Sequence, residues 1–252
     1  MELSLAIDLL SNVRNFSDIK KIIKETLAVY DMEYFIYVAK FPISFLRPEI
    51  IILNGYPQEW HDRYISMNYA DIDPVLKKSD TEILPIIWSE LIKEVKNKES
   101  LDFMNEATEF DLQNGVTIPF RGSCGETALL SLATSSRNIK SMASLVEASR
   151  MFLFLIPYIH NSVREVSLIE KGVFKGYALS DRELECLMWG AEGKTTWEIG
   201  EIIGVKKRTV IFHFHNICEK LNTVSRQQAI AKAISLNIIK SKLSNGFKEH
   251  KS

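Results

Sequence analysis

Between residues 179 and 234 apolar side chains recur at helical intervals through four successive segments. Leu184, Leu187 and Met188 stripe the first, which opens on Ser180 and Glu183, spaced as a capping box, and closes at Gly193. The second, Thr196 to Ile203, turns Ile199, Ile202 and Ile203 inward, and Gly204 supplies a tight turn into the third. From Lys207 to Leu221, Val210, Phe214, Ile217 and Leu221 fall at i, i+4, i+7 and i+11 and define a buried face. Asn222 ends that helix and Ser225 caps a fourth. Its Ala229, Ile230, Ala233 and Ile234 form a narrow apolar face suited to pairing two copies.

Upstream the period changes. Ser17 is placed to cap a helix carrying Ile19, Ile22, Ile23, Leu27 and Tyr30 on one face. The stretches Tyr34 to Ala39 and Glu49 to Leu53 are rich in β-branched and aromatic residues, with Pro42 and Pro48 confined to the connection, so both read as strands. Asn54-Gly55 turns into a helix with Pro57 at its first position and Trp60, Tyr64 and Met67 along one face, followed by a loop at Ala70 to Pro74. Further strands are expected at Ile83 to Trp88, Val116 to Phe120 and Thr127 to Thr134, with helices near Leu101 to Leu112 and from Ser141 to Val166. Residues 121–126, RGSCGE, join the last two strands as a hairpin. The pattern predicts an α+β protein: an N-terminal α/β/α sandwich around a five-stranded antiparallel sheet, plus a C-terminal four-helix helix-turn-helix domain. The expected divisions are 1–169, a linker at 170–178 with two glycines and no helical stripe, and 179–252.

Composition fits two soluble domains, with 252 residues, 46% hydrophobic and 25% charged. The longest apolar run, Met151 to Ile159, is too short to span a bilayer. The start MELSLAIDLL lacks the basic residues and cleavage site of a signal peptide, so a cytoplasmic protein without a membrane partner is expected. Cys124, Cys186 and Cys218 are odd in number and far apart, which supports neither a disulfide framework nor a metal site. Net charge is −1, but it divides: residues 176–252 hold 12 Lys and Arg against 8 Asp and Glu, and residues 1–175 hold 19 against 24. The surplus of positive charge lies where a polyanion would bind.

Candidate chemistry sits in both parts. The outward face of the third C-terminal helix carries Arg208, Ile211, Phe212, His215 and Glu219. Lys206, Lys207, Arg208 and Thr209 crowd its N-terminal end, where the helix dipole favours anions. Such a helix suits a DNA major groove, its first turn on phosphates and Ile211, Phe212 and His215 on base edges. On the stripes alone, an ordinary solvated three-helix domain is an equal alternative. In the front part Tyr56, Trp60 and Tyr64 follow one another by helical turns, Trp88 could roof them, and Ser131 shares a strand face with Leu129 and Ala133. Asp73 precedes Pro74, which bars helix at Asp73. Taken singly, each of these is better read as core or loop. Cys124 could suggest a nucleophile, yet His61 and His160 are the only histidines upstream of the C-terminal helices and no nucleophile elbow or metal-ligand cluster accompanies them.

The run LSDRELECLMWGAEGKTTWEIGEIIGVKKRTVIFHFHNICEKLN resembles the C-terminal domain of LuxR-type transcription regulators, with Glu183, Leu187, Gly193, Ile199, Val210 and Leu221 at that family's spacing. Many two-component response regulators end in the same domain, so the run leaves the input open. Trp60, Tyr64, Asp73, Pro74, Trp88 and Gly115 resemble the set marking the LuxR autoinducer-binding domain, and Tyr56 and Ser131 match further pocket positions. The resemblance implies a non-enzymatic homodimer without cofactor or metal, taking an N-acyl homoserine lactone and a palindromic promoter site, with RNA polymerase as a further contact. By resemblance, Trp60 donates to the lactone carbonyl, Asp73 accepts from the amide N–H and Tyr56 donates to the amide carbonyl. Ser131 reaches the head group or a 3-substituent, while Tyr64 and Trp88 pack chain and ring. A buried Asp73 lacking that amide is then expected to be an orphaned carboxylate, costing on the order of 1–3 kcal/mol in the empty protein. The alternatives are a LuxR-type receptor for another small molecule, a response regulator, whose parallel α/β pattern is missing here, and a lactone hydrolase.

Overall fold

Alternation along the central strands decides which layer each side of the sheet meets. The structure, a computed structural model, describes residues 1–42, 48–122, 125–135, 139–170, 179–235 and 238–239, and it divides into two compact units. In the first, β1 (Tyr34–Phe41), β2 (Glu49–Asn54), β3 (Ile86–Ile87), β4 (Asn114–Arg121) and β5 (Thr127–Thr134) form one sheet in the order β2-β1-β5-β4-β3, every pair antiparallel. Phe35, Tyr37, Val116, Ile118, Leu130 and Leu132 point to one side. There they are buried with residues of α1 (Leu3–Leu10), α2 (Phe16–Ala28) and α7 (Ile139–Glu170) in the larger core. The other side faces α3 (Gln58–Ser66), α4 (Pro74–Ser79), α5 (Trp88–Glu94) and α6 (Lys98–Glu109) across a second, aromatic core. This is the expected α/β/α sandwich.

Several local expectations give way to hydrogen bonds that the apolar pattern does not encode. Helix α2 is capped by Asn15, whose side chain accepts the N–H of Asp18 at 2.9 Å, and Ser17 lies inside it. The loop expected at 70–74 is instead a 3₁₀ turn, Tyr69–Asp71, running into α4. Pro57 is the N-cap of α3 rather than its first residue, and Met67, 49% exposed, leaves the buried face. The strand expected from Ile83 to Trp88 shrinks to two residues. Glu82 takes the N–H groups of Ile83 and Leu84 with its own carboxylate and Pro85 has none to give, so pairing begins only at Ile86. Trp88 then starts α5 instead of ending a strand. The hairpin at 121–126 closes through Gly122 N–H to Glu126 O at 2.8 Å, while Cys124 lies outside the described residues. So does the expected linker, apart from Glu170, the last residue of α7.

The second unit consists of α8 (Asp181–Ala191), α9 (Thr196–Ile203), α10 (Lys207–Lys220) and α11 (Arg226–Ser235). Reciprocal capping boxes start α8, through Ser180 and Glu183, and α9, through Thr195 and Glu198. Gly204 takes φ 72°, the left-handed conformation the turn into α10 requires. Leu187, Ile199, Val210, Phe214, Ile217 and Leu221 form the core as their spacing predicts. Ile202 does not turn inward; it is 44% exposed. Nor does α11 present a pairing face: Ala229 and Ala233 are fully buried inside this unit and Ile230 packs toward Gly190, leaving Ile234 exposed. Small residues there let α11 approach α8 closely, which explains the alanine spacing without a second copy. Among the described residues no helix is long and apolar enough to cross a membrane.

Candidate ligand cavity and nucleic-acid interface

Pro74 does two things at once: it forces Asp73 into extended backbone and it begins α4, so Asp73 becomes a helix cap. The Asp73 Oδ1 accepts the N–H groups of Val75 at 2.8 Å and Leu76 at 3.2 Å, and Oδ2 accepts the Tyr64 hydroxyl at 2.9 Å. The orphaned carboxylate expected from the sequence is therefore not observed; three donors hold it in place. Burial raises its pKa above the ordinary 3.8, and the bonds from Leu76, Tyr64 and Val75 act in the opposite direction. Tyr64, expected to pack against a chain or ring, serves as one of those donors. Burial first, then the Asp73 charge, pushes its own phenol far up.

Asp73 lies on the wall of a cavity of about 440 Å³ between the sheet and α3 to α6. Tyr56, Trp60, Tyr64, Trp88 and Ser131 line it as well, so all six residues singled out from the sequence meet in one space. The Tyr56 hydroxyl bonds to Ser131; burial raises its pKa, that bond lowers it, and nearby Asp73 raises it. Trp88 lies flat against Gly115, where an added Cβ would come within 2.6 Å of the ring, and donates its indole N–H to Thr117 Oγ at 3.0 Å. Thr117 in turn shares a 2.7 Å hydrogen bond with Ser131. Trp60 is set among Tyr64, Tyr69, Phe103 and Phe110 at ring separations of 5.3–6.2 Å. Its indole N–H, at the cavity, has no acceptor among the described residues.

Sequence reasoning missed Thr117, which links Trp88 to Ser131. Strand alternation could have found it, since Thr117 stands two residues from Gly115 on the same face. It also missed the brace across the cavity's outer wall, where Glu106 on α6 accepts from Arg63 Nε at 2.6 Å and from the Tyr69 hydroxyl at 2.5 Å. Nothing in the local spacing of Arg63 and Glu106 announces that contact. On the opposite side of the sheet, His160 bridges the Tyr37 hydroxyl at 2.7 Å and Glu126 at 2.9 Å, all three buried and remote from the cavity.

In the C-terminal unit α10 leaves its first turn uncapped by any side chain, so its leading N–H groups face outward with Lys206, Lys207 and Arg208 exposed beside them. Thr209 is half-buried. Ile211 and Phe212 are 52% and 59% exposed, and His215 is exposed one turn before Glu219, at 3.5 Å. Lys207, Arg208, Ile211, Phe212 and His215 thus fall on one exposed surface of α10. Glu183, buried near the start of α8, takes the Lys220 ammonium at 2.7 Å and ties the far end of α10 down.

An α/β/α sandwich enclosing a polar-ended apolar cavity, carried with a helix-turn-helix unit in one chain, defines a ligand-sensing transcription regulator. Comparison with known proteins makes this specific. The autoinducer binding domain family matches residues 15–163, and the bacterial regulatory proteins of the luxR family match residues 177–233. The transcriptional activator protein LuxR of Aliivibrio fischeri (strain ATCC 700601 / ES114) is 32% identical over 228 residues, 90% of either chain. AnoR of Acinetobacter nosocomialis is 34% identical over 228 residues, 90% of this chain and 94% of that protein. The crystal structure of Escherichia coli SdiA shares the fold with a TM-score of 0.73 at 22% identity, covering 95% of this chain and 98% of that one. The chain belongs to the LuxR family of autoinducer-binding transcription regulators.

Proposed function

We propose that the chain is a receptor for an N-acyl homoserine lactone and binds a palindromic promoter site as a homodimer. It divides into a receptor domain at 1–169, a linker at 170–178 and a reader at 179–252, acts in the cytoplasm and contacts RNA polymerase at the promoter. The observation that carries the reading is the unpartnered Trp60 indole N–H, which opens into an apolar cavity beside a carboxylate, Asp73, already fixed in position. A lactone carbonyl satisfies the first and an amide N–H the second, while the Tyr56 hydroxyl stands ready for the amide carbonyl and Ser131 for the head group. Tyr64 orients Asp73, and Trp88, committed to Thr117, forms a wall. On the reader, Lys206, Lys207, Arg208 and Thr209 meet phosphates, and Ile211, Phe212 and His215 meet bases. Two copies follow from the size of one recognition helix, which reads too few bases for a specific site unless a second half-site lies about a helical turn away.

The test is to grow the protein with a mixture of lactones, extract it and identify the retained compound by mass. One lactone per chain, unhydrolysed, is expected. Trp60→Phe removes a single donor and leaves a ring, and is expected to weaken retention about tenfold or more, the loss of one buried hydrogen bond. Retention equal to wild type would remove Trp60 from the site.

A further inference from the structure

The strand register turns the cavity floor into three rows. Ser131 lies opposite Ile36 on β1 and Thr117 on β4. Two residues along, Leu129 lies opposite Val38, and β2 adds Ile52. Two further, Thr127 lies opposite Lys40 and Arg121, and β2 adds Ile50. The first row is hydroxylic, the second apolar and the third dominated by a hydroxyl and two cations. Arg121 is anchored there, its guanidinium donating to Ser79 O at 2.6 Å and Glu82 O at 3.3 Å, while Asp80 lines the same end.

We propose that the apolar row, bounded by polar rows on both sides, selects a medium acyl tail, with Val38 and Leu129 as its bed and Thr127, Lys40 and Arg121 as a polar stop. This rests on the reading of the cavity as a lactone site with its head at Tyr56, Trp60 and Asp73. Residues advance ~3.4 Å along a strand, so the third row stands roughly 14 Å from the first. An extended chain gains ~1.2 Å per bond, which places the polar stop about eleven bonds from a carbonyl at Ser131 and fits a tail of about eight to ten carbons before apolar atoms meet the cations. Shorter tails leave Val38 and Leu129 uncovered. Longer ones press methylenes against Lys40 and Arg121 or leave past Ile50, Ile52 and Ile65, which are 60%, 47% and 63% exposed.

The experiment measures the affinity of the full-length protein for straight-chain N-acyl homoserine lactones from butanoyl to tetradecanoyl. Affinity is expected to rise about fourfold per methylene up to the octanoyl or decanoyl compound, the factor that burial of one CH₂ gives, and then level off or fall. Leu129→Phe, which fills the bed, shifts the optimum to shorter tails. Thr127→Leu, at the half-buried strand end, relaxes the stop and shifts it to longer ones. A monotonic rise to tetradecanoyl, or an optimum that neither variant moves, overturns the tail assignment alone. Failure of every lactone to bind overturns the lactone reading beneath it.

Discussion

At the scale of single residues, Asp73 carries the most consequential chemistry. It is already saturated on Oδ1 by backbone N–H groups and holds Tyr64 on Oδ2, so it is a rigid acceptor and needs no rearrangement to receive another donor. Its pKa, raised by burial, sets a pH effect whose sign can be worked out. An N–H donated by ligand favours the carboxylate, so binding releases a proton wherever the empty site is protonated, and affinity falls as pH drops through the raised pKa. The weakening is expected to begin above the range of an exposed aspartate with its ordinary 3.8. Asp73→Asn keeps the shape, loses the charge and flattens that pH dependence, with binding about tenfold or more weaker at neutral pH. Titration calorimetry across pH checks both. The sequence marked Asp73 as extended and as a candidate site residue, but not as satisfied, because two of its bonds come from a helix, α4, too short to leave an apolar period, and the third comes from Tyr64 on α3.

At the scale of elements, legibility follows where the ordering forces are local. Capping boxes, glycine turns and a strong 3.6 period are all carried within a few residues, so α8, α9 and α10 could be drawn from the sequence nearly to the residue, and β5 likewise from its dense apolar run. Long-range contacts were not legible. Helix α1 buries Ala6 and Leu10 in the larger core, but its Leu3, Ile7 and Leu10 make only two turns of helical spacing, too short to stand out before the core that receives them is known; Ala229 and Ala233 suggested an external partner only because α8, their actual partner, lies far back in the chain. The Glu183–Lys220 pair is another such contact, and it joins α8 to α10. Burial works against the Glu183 carboxylate, but the Lys220 ammonium and the Ser180 bonds outweigh it and hold its pKa below 4.5. A depressed carboxylate contributes stability that is present above its unfolded pKa and lost as pH falls through the folded value. Lys220→Met is expected to cost about 1–2 kcal/mol at neutral pH, since Lys220 is partly exposed, and to shrink that acid-side loss. Denaturant melts at neutral and acid pH measure it.

At the scale of the whole molecule, the uneven charge has a kinetic and thermodynamic meaning. A net surplus of cations at 176–252 and of anions at 1–175 directs DNA to the C-terminal unit and discourages non-specific contact by the rest. Operator affinity is expected to fall linearly in log–log form with salt. Lys207→Ala should weaken all sequences alike and lower the slope by about one, whereas His215→Ala should leave the slope unchanged and relax preference at a single base position. Binding assays over a salt series with operator variants separate the two, and the reverse pattern would refute the assignment of phosphate and base contacts along α10.

The placement of tryptophan has an optical consequence. Trp60 and Trp88 are 3% and 7% exposed and both border the cavity, while Trp197, on α9 of the second unit, is 61% exposed and Trp189, on α8, is half-buried. A guest settling against Trp60 is expected to alter the blue part of the intrinsic emission over the background of the second unit's Trp189 and Trp197, of which exposed Trp197 supplies the reddest part as an internal reference. The receptor thus carries its own ratiometric dye, by which occupancy can be followed in real time without a label.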